Sequence, residues 1–413
     1  MWESFIETVT KVNDWVNGVV WGWPMIVMIL GTGILLTVRT KVLQVRKFGE
    51  SLSSTIVPVV KGLGKKQGKR DKNSISQFEA FSAAISGTVG TGNIIGVTSA
   101  ILTGGPGAVM WMWISAFVGM VTNYSENVLG LYYRRKEKDG SFSGGAFYYI
   151  AYGLKQNWLG LFAAVFCLLA ATGMSGVQTN KITGSFISVL NTDETWVKLL
   201  IGSVVALFAA VVIIGGIKRI GRIASMLVPF MSVLFIIMSF IIIGKNIGAV
   251  PETFRLIFSS AFSAKAVAGG VGGFVFSQII KKGLARGVFS NEAGLGSSVI
   301  AHSASETREP VKQGLWGIFE VFFDTFVICT LTALVVLTTN IGNGSYENGS
   351  FFGTTNAAGE FVGASDSATS LSAFSSNLGT FGTVTFLTIL PLFAFTTILA
   401  WSYYGEKAMD FCF

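Results

Sequence analysis

Nine runs of about twenty mostly apolar residues leave this chain few ways to fold. They fall at roughly 17–38, 78–101, 106–133, 157–189, 196–216, 220–244, 266–285, 313–339 and 379–404. A run of that length crosses the hydrocarbon of a bilayer as one α-helix, because only a helix or a closed barrel satisfies its backbone polar groups there. Barrel strands would be about ten residues long and would alternate in polarity. These runs do neither, so the fold class is all-α and polytopic. The 13% of charged residues agrees, since a soluble domain carries roughly a quarter.

The formal net charge of +8 would suggest a nucleic-acid partner in a soluble protein. Its placement argues instead for a lipid bilayer and no nucleic acid, because the cations lie between the apolar runs. RTKVLQVRKFG and KGLGKKQGKRDK separate the first two runs, and the positive-inside rule puts them in the cytoplasm with the N-terminus outside. Alternate crossings then place RRKEKDG (134–140), KRIGR (218–222) and KKGLAR (281–286) inside. NTDETW (191–196) and the stretch 340–377, which has Glu347, Glu360 and Asp366 but no Lys or Arg, fall outside. The expected location is the plasma (inner) membrane, multi-pass. Residues 143–155 and 48–63 look amphipathic and are expected as interfacial helices. ARGVFSNEAGLGSSVIAHSAS (285–305) is expected as a helix docked under the bundle on the cytoplasmic side.

In the middle of the second run stands Ser86-Gly87-Thr88-Val89-Gly90-Thr91-Gly92-Asn93. A glycine cluster at membrane depth is tolerated where it is buried in protein or lines a wet cavity. An unwound segment there offers a helix N-terminus to an anion and loose carbonyls to a cation. The seventh run opens AVAGGVGGFVFSQ, with Gly269, Gly270, Gly272 and Gly273. Two Gly-interrupted spans five helices apart are the sequence pointer to an inverted-repeat transporter with its site at the midplane. Taken singly, either cluster reads equally well as close helix packing, as Gly92-x-x-x-Gly96 illustrates.

Other chemistries fit less well. A potassium filter needs a re-entrant loop in four copies, and a dinucleotide loop needs a strand before it. Cys167, Cys329 and Cys412 lie in or beside apolar segments, and His302 is the single histidine. The chain therefore offers no disulfide framework, no histidine-based metal site and no catalytic pairing of an enzyme.

The strings GTVGTGNIIGVTSAI (87–101), GGPGAVMWMW (104–113), GGAFYYI (144–150), ARGVFSNEAGLGSSVIAHS (285–303) and WSYYGEK (401–407) resemble those of the alanine or glycine:cation symporter family, the sodium:alanine symporters. The resemblance covers nearly the whole chain. It implies a leucine-transporter-like fold, with one peripheral N-terminal helix and two inverted five-helix repeats. The expected divisions are 1–72, 73–250 and 251–413, the last stopping after the third helix of its repeat. It implies uptake of alanine or glycine coupled to sodium, with a proton as the alternative ion. It places substrate contacts at the two breaks, Thr88, Gly90, Thr91, Gly92 and Asn93 in one and Gly272 to Ser277 in the other. Its sodium site maps to Thr91 with the adjacent hydroxyls Thr396 and Thr397. A selective cation channel, with the glycine segments as filter, is the competing reading.

Single residues refine this. Gln178 sits in apolar sequence with Thr172, Ser175, Thr179 and Asn180, where an unbonded amide is costly, and is expected at the substrate. Phe274, Phe276 and Trp401, one turn beyond Thr397, are candidate walls for a small pocket. Glu320 and Asp324 share a helix face as candidates for cation or proton binding, or for a neutral buried pair. Glu126 is expected in helix packing, His302 as a satisfied interfacial side chain, and Glu292 with Arg286 as a cytoplasmic latch.

Overall fold

A computed structural model describes residues 2–62, 75–138, 140–190, 192, 194–262, 270–344, 346–347, 350–351, 353–355, 361–363 and 365–413. The lysine-rich stretch 63–72, Gly269 and Glu360 lie outside them, and so do the side chains of Gly272, Gly273, Phe274 and Phe276.

Over its described residues each apolar run is largely helical. The first forms α1 (Trp2–Val20) and α2 (Trp23–Arg39), and the amphipathic stretch after it forms α3 (Phe48–Gly62). The second run forms α4 (Gln77–Thr88), a π-helical turn at Gly92–Gly96 and α5 (Val97–Gly104). Then come α6 (Ala108–Tyr133), α7 (Asn157–Leu190), α8 (Thr195–Ile213) and α9 (Gly216–Lys245). They are followed by α10 (Val250–Ala261), α11 (Gly270–Asn291) and the short α12 (Ser298–Ser303). The chain continues into α13 (Pro310–Gly342) and α14 (Asp366–Cys412).

Among the described residues six helices are long and apolar enough to cross a membrane, and the α4/α5 pair, bent by 48°, makes a seventh. Helices α6 and α11 have spanning length, at 26 and 22 residues, but are more polar. Ser115, Asn123, Glu126 and Asn127 of α6 are buried against protein, so they do not lower its compatibility with a bilayer. Helices α6 and α11 approach closely through small residues. A Cβ at Gly283 would meet Trp111 Cβ at 2.6 Å, and one at Gly287 would meet Ser115 Oγ at 2.7 Å.

Several expectations are corrected. KKGLAR is not a loop: it lies inside α11, and a Cβ on Gly104 would sit 3.0 Å from Lys282 Cβ. It therefore says nothing about which loops are cytoplasmic. KRIGR likewise belongs to the first turns of α9. Only residues 298–303 of the expected docked helix are separate, and they are fully buried. The helix before them runs on to Asn291, and three left-handed residues, Glu292, Gly294 and Gly296, turn the chain between them. The stretch 340–377 is not all loop, for it carries two short β pairs, Tyr346–Glu347 with Ser350–Phe351 and Gly353–Thr355 with Phe361–Gly363. Helix α14 also starts early, at Asp366, and is kinked at Gly379 (φ 57°, ψ −141°). The arm before the kink is tied down by Lys181 to Asp366 (3.2 Å) and Thr98 to Ser370 (2.8 Å). Residues 146–153 are helical, but Phe147 and Tyr148 are buried in protein.

Candidate functional site

Helix α4 starts on a capping box. Ser76 Oγ accepts from the Glu79 N–H at 3.1 Å, and the Ser76 N–H donates to the Glu79 carboxylate at 2.8 Å. It stops at Thr88 because the freed donors beyond it find side-chain acceptors. The Gly90 N–H donates to Asn93 Oδ1 at 2.9 Å, and the Thr91 N–H and hydroxyl donate to Gln178 Oε1 at 3.3 and 2.7 Å. A broken helix at membrane depth needs such replacements. Gln178, on α7, is buried as its composition demanded.

The break is also where α14 arrives. A Cβ at Gly90 would lie 2.5 Å from Thr397 Oγ1 and 3.2 Å from Gln178 Nε2, so glycine is what lets three helices meet. The Thr396 and Thr397 hydroxyls both donate to the Phe393 carbonyl at 3.0 Å. Of these, the Thr397 hydroxyl is the one beside the unwound backbone, while the Thr396 hydroxyl also lies 3.8 Å from Met231 Sδ on α9. Gly90, Thr91, Asn93, Gln178 and Thr397 are thus brought together. Thr88 bonds back to Ile85 O at 3.2 Å, and Gly92 lies against Arg286.

On the opposite side of the break, Asn93 Nδ2 donates to Asp324 Oδ1 at 2.5 Å and approaches Cys329 Sγ at 3.4 Å. Thr325 Oγ1 donates to Asp324 Oδ2 at 2.8 Å, and Asn291 Nδ2 donates to Thr325 Oγ1 at 3.2 Å. Asp324 lies in a π-helical segment of α13, Phe322–Cys329. Such a widened turn changes the 100° step between residues, so Asp324 and Glu320 do not act as one pair. Glu320 bonds His302 Nε2 at 2.8 Å, and Gln313 meets His302 Nδ1 at 2.6 Å, all three fully buried. His302 is therefore satisfied as expected, but in the core and not at an interface. Glu126, expected in helix packing, instead accepts from the Gly294 N–H at 3.0 Å, in the turn between α11 and α12. Outside the spans, Arg134 donates to the carbonyls of Ser303, Ser305 and Thr307 at 2.6–3.0 Å. Burial lowers its guanidinium to about 10, so it stays charged at neutral pH.

Two expectations do not hold. Gly272, Gly273, Phe274 and Phe276 lie in a continuous helix, so the second break is not at Gly272–Ser277. Trp401 is buried with its ring 5.4 Å from that of Tyr404, whose hydroxyl faces Gly87 just before the first break. The Glu292 to Arg286 latch is absent, because Glu292 turns away with φ 55° and bonds Ser297.

The family profile described as the Sodium:alanine symporter family matches residues 6–413. This chain belongs to that family. It is 39% identical over 411 residues to the sodium/alanine symporter AgcS of Methanococcus maripaludis, covering 98% of this chain and 84% of AgcS. It is 39% identical over 396 residues to the putative sodium/proton-dependent alanine carrier protein YrbD of Bacillus subtilis, covering 94% and 76%. The probable sodium/glutamine symporter GlnT of that organism is 36% identical over 396 residues, at 96% and 76% coverage. Among solved structures, MhsT in complex with L-phenylalanine superposes with a TM-score of 0.59 at 13% identity, over 83% of this chain and 78% of MhsT. The fold is leucine-transporter-like. The symporter is a multi-pass transmembrane amino-acid transporter of a sodium-coupled family and not an enzyme.

Proposed function

We propose that this symporter takes up alanine or glycine with sodium, by alternating access around the α4/α5 break. The carrying observation is that the Thr91 N–H and hydroxyl both donate to one side-chain oxygen, Gln178 Oε1. That oxygen occupies the acceptor position a substrate carboxylate would take at the start of the second half-helix. A small rotation of Gln178 exchanges one acceptor for the other and keeps every buried donor satisfied. Sodium then sits beside the break, against the Thr396 and Thr397 hydroxyls and the Phe393 carbonyl that both bond, with Thr91 on the α5 side. Hard oxygen ligands of this kind suit sodium and need no anionic side chain.

The proposed frame is two inverted repeats, 73–250 and 251–413, behind an N-terminal segment 1–72, with the N-terminus outside the plasma membrane and the 134–140 turn in the cytoplasm. Substrate size follows from crowding, since Gly90 already lacks room for a methyl group. Coupling follows from linkage: ion and zwitterion bind neighbouring faces of the same unwound segment, so each favours the conformation the other needs.

The test is calorimetric alanine binding to the purified chain in sodium and in matched potassium buffer. Saturable binding that strengthens in sodium supports symport. Ion flux indifferent to alanine would support a channel instead.

A further inference from the structure

Arg286 occupies an unusual position for a cation. Its guanidinium is seated in a slot on the broken helix, where a Cβ on either Gly92 or Gly96 would overlap it. Its Nε and Nη2 are buried without a hydrogen-bond partner among the described residues. The ring of Phe289 lies 5.1 Å away and flanks it. Asp324, the carboxylate at the break, has its oxygens taken by Asn93 and Thr325. A buried guanidinium with open donors is costly to maintain unless an anion completes it.

The place for that anion is next to it. A cavity of about 390 Å³ lies between α1, α5 and α11, with Arg286 in its wall. The wall carries three cations, Arg286, Lys281 and Lys282, against one carboxylate, Asp14. Ser99, Thr103 and Gln278 add neutral polar groups. The volume falls within the range of small-molecule pockets, and the planar guanidinium fork matches a carboxylate.

We propose that this cavity binds a small organic carboxylate, with Arg286 as its anchor. The carboxylate is that of the transported amino acid, held at the cavity before it reaches the break; this last step rests on the symport reading. Asp14, on the same wall, supplies the counter-charge for an ammonium group. The Gly92/Gly96 slot then links the two sites physically, because Arg286 leans on the π-helical turn directly after Thr91. Filling the cavity draws the guanidinium toward its ligand and loads or frees that turn.

The test separates the two readings by using propionate, which has the carboxylate without the amine, beside alanine. Binding of each to the purified chain is measured by calorimetry in sodium and in potassium buffer. Wild type is expected to bind propionate saturably in both buffers. Arg286→Gln should weaken that binding at least thirtyfold, about the cost of leaving one member of a buried charge pair alone. Arg286→Lys should weaken it about tenfold, and Lys281→Gln more mildly. An unchanged propionate affinity in Arg286→Gln, or no propionate binding by protein that binds alanine, overturns the cavity and leaves symport standing. Arg286-dependent propionate binding without alanine binding overturns symport and leaves the cavity standing. Because Arg286 is half-buried and its Nε and Nη2 are packed into the fold, its variants are checked by size-exclusion profile. Independently of them, wild-type protein with 3-bromopropionate is imaged by anomalous scattering. Bromine in the cavity supports the assignment, and bromine elsewhere or nowhere refutes it.

Discussion

Gly90→Ala tests the geometry of the break directly. The new methyl carbon would lie 2.5 Å from Thr397 Oγ1, whereas ordinary contacts begin near 3.4 Å, so something must move by about 0.9 Å. Thr397 can rotate away only by giving up the bond of its hydroxyl to the Phe393 carbonyl. Overpacking of this kind costs about 1–3 kcal/mol. If that cost falls on the bound, closed arrangement, sodium-dependent alanine affinity drops by about 5- to 150-fold. The measurement is the sodium-minus-potassium difference in calorimetric affinity, for Gly90→Ala, Thr397→Ala and the double variant. Removing the Thr397 side chain relieves the clash, so the double variant should be better folded than Gly90→Ala alone. Its sodium dependence should remain lost, because the hydroxyl is gone. A Gly90→Ala protein with wild-type thermal midpoint and wild-type sodium dependence would refute the close approach of α14 to the break.

Gln178→Leu removes the acceptor of two buried donors on Thr91; because that oxygen competes with the substrate carboxylate for them, alanine binding should tighten by about tenfold, read in the same calorimeter, while the thermal midpoint of the unliganded protein falls. Asp324→Ala releases Asn93, whose other amide end caps Gly90; transport should fall while Asp324→Asn, which keeps an acceptor, retains more of it, as liposome uptake of labelled alanine would show. His302→Ala leaves the buried Glu320 carboxylate without its partner and should lower the detergent thermal midpoint sharply. His302→Gln combined with Glu320→Gln, which removes the charge, should recover much of it. Gly287→Val would drive a side chain into Ser115 and separate α6 from α11, which reduced yield of monodisperse protein would report.

What could be read from the residue order was whatever depends on neighbours along the chain. The spans were legible because twenty apolar residues carry their own solvent requirement. The first break was legible because its glycines come with their replacement partner, Asn93, three residues beyond Gly90. Gln178 was legible because an amide in an apolar helix must be bonded to something. Gly272 and Gly273 were less legible: glycine permits a helix to break but does not make it do so, and the described part of that cluster keeps its helical backbone.

Pairings over long separations were out of reach. Nothing near Asn93 announces Asp324, 231 residues away, and the π-helical segment that aims it breaks the periodicity on which a face assignment relies. Arg286 shows the same limit more sharply. With Lys281 and Lys282 beside it, it reads as part of a cytoplasmic arm, since three cations in six residues depress any hydropathy window. The structure resolves that apparent conflict at Gly92 and Gly96. Their spacing is the one by which helices usually admit another backbone, but here it admits a guanidinium. A cation at that depth is then no longer a sign of the aqueous side. It is a charged group fitted to the broken helix, which is why the ligand of this residue, and not the orientation of its loop, is the question that the position raises.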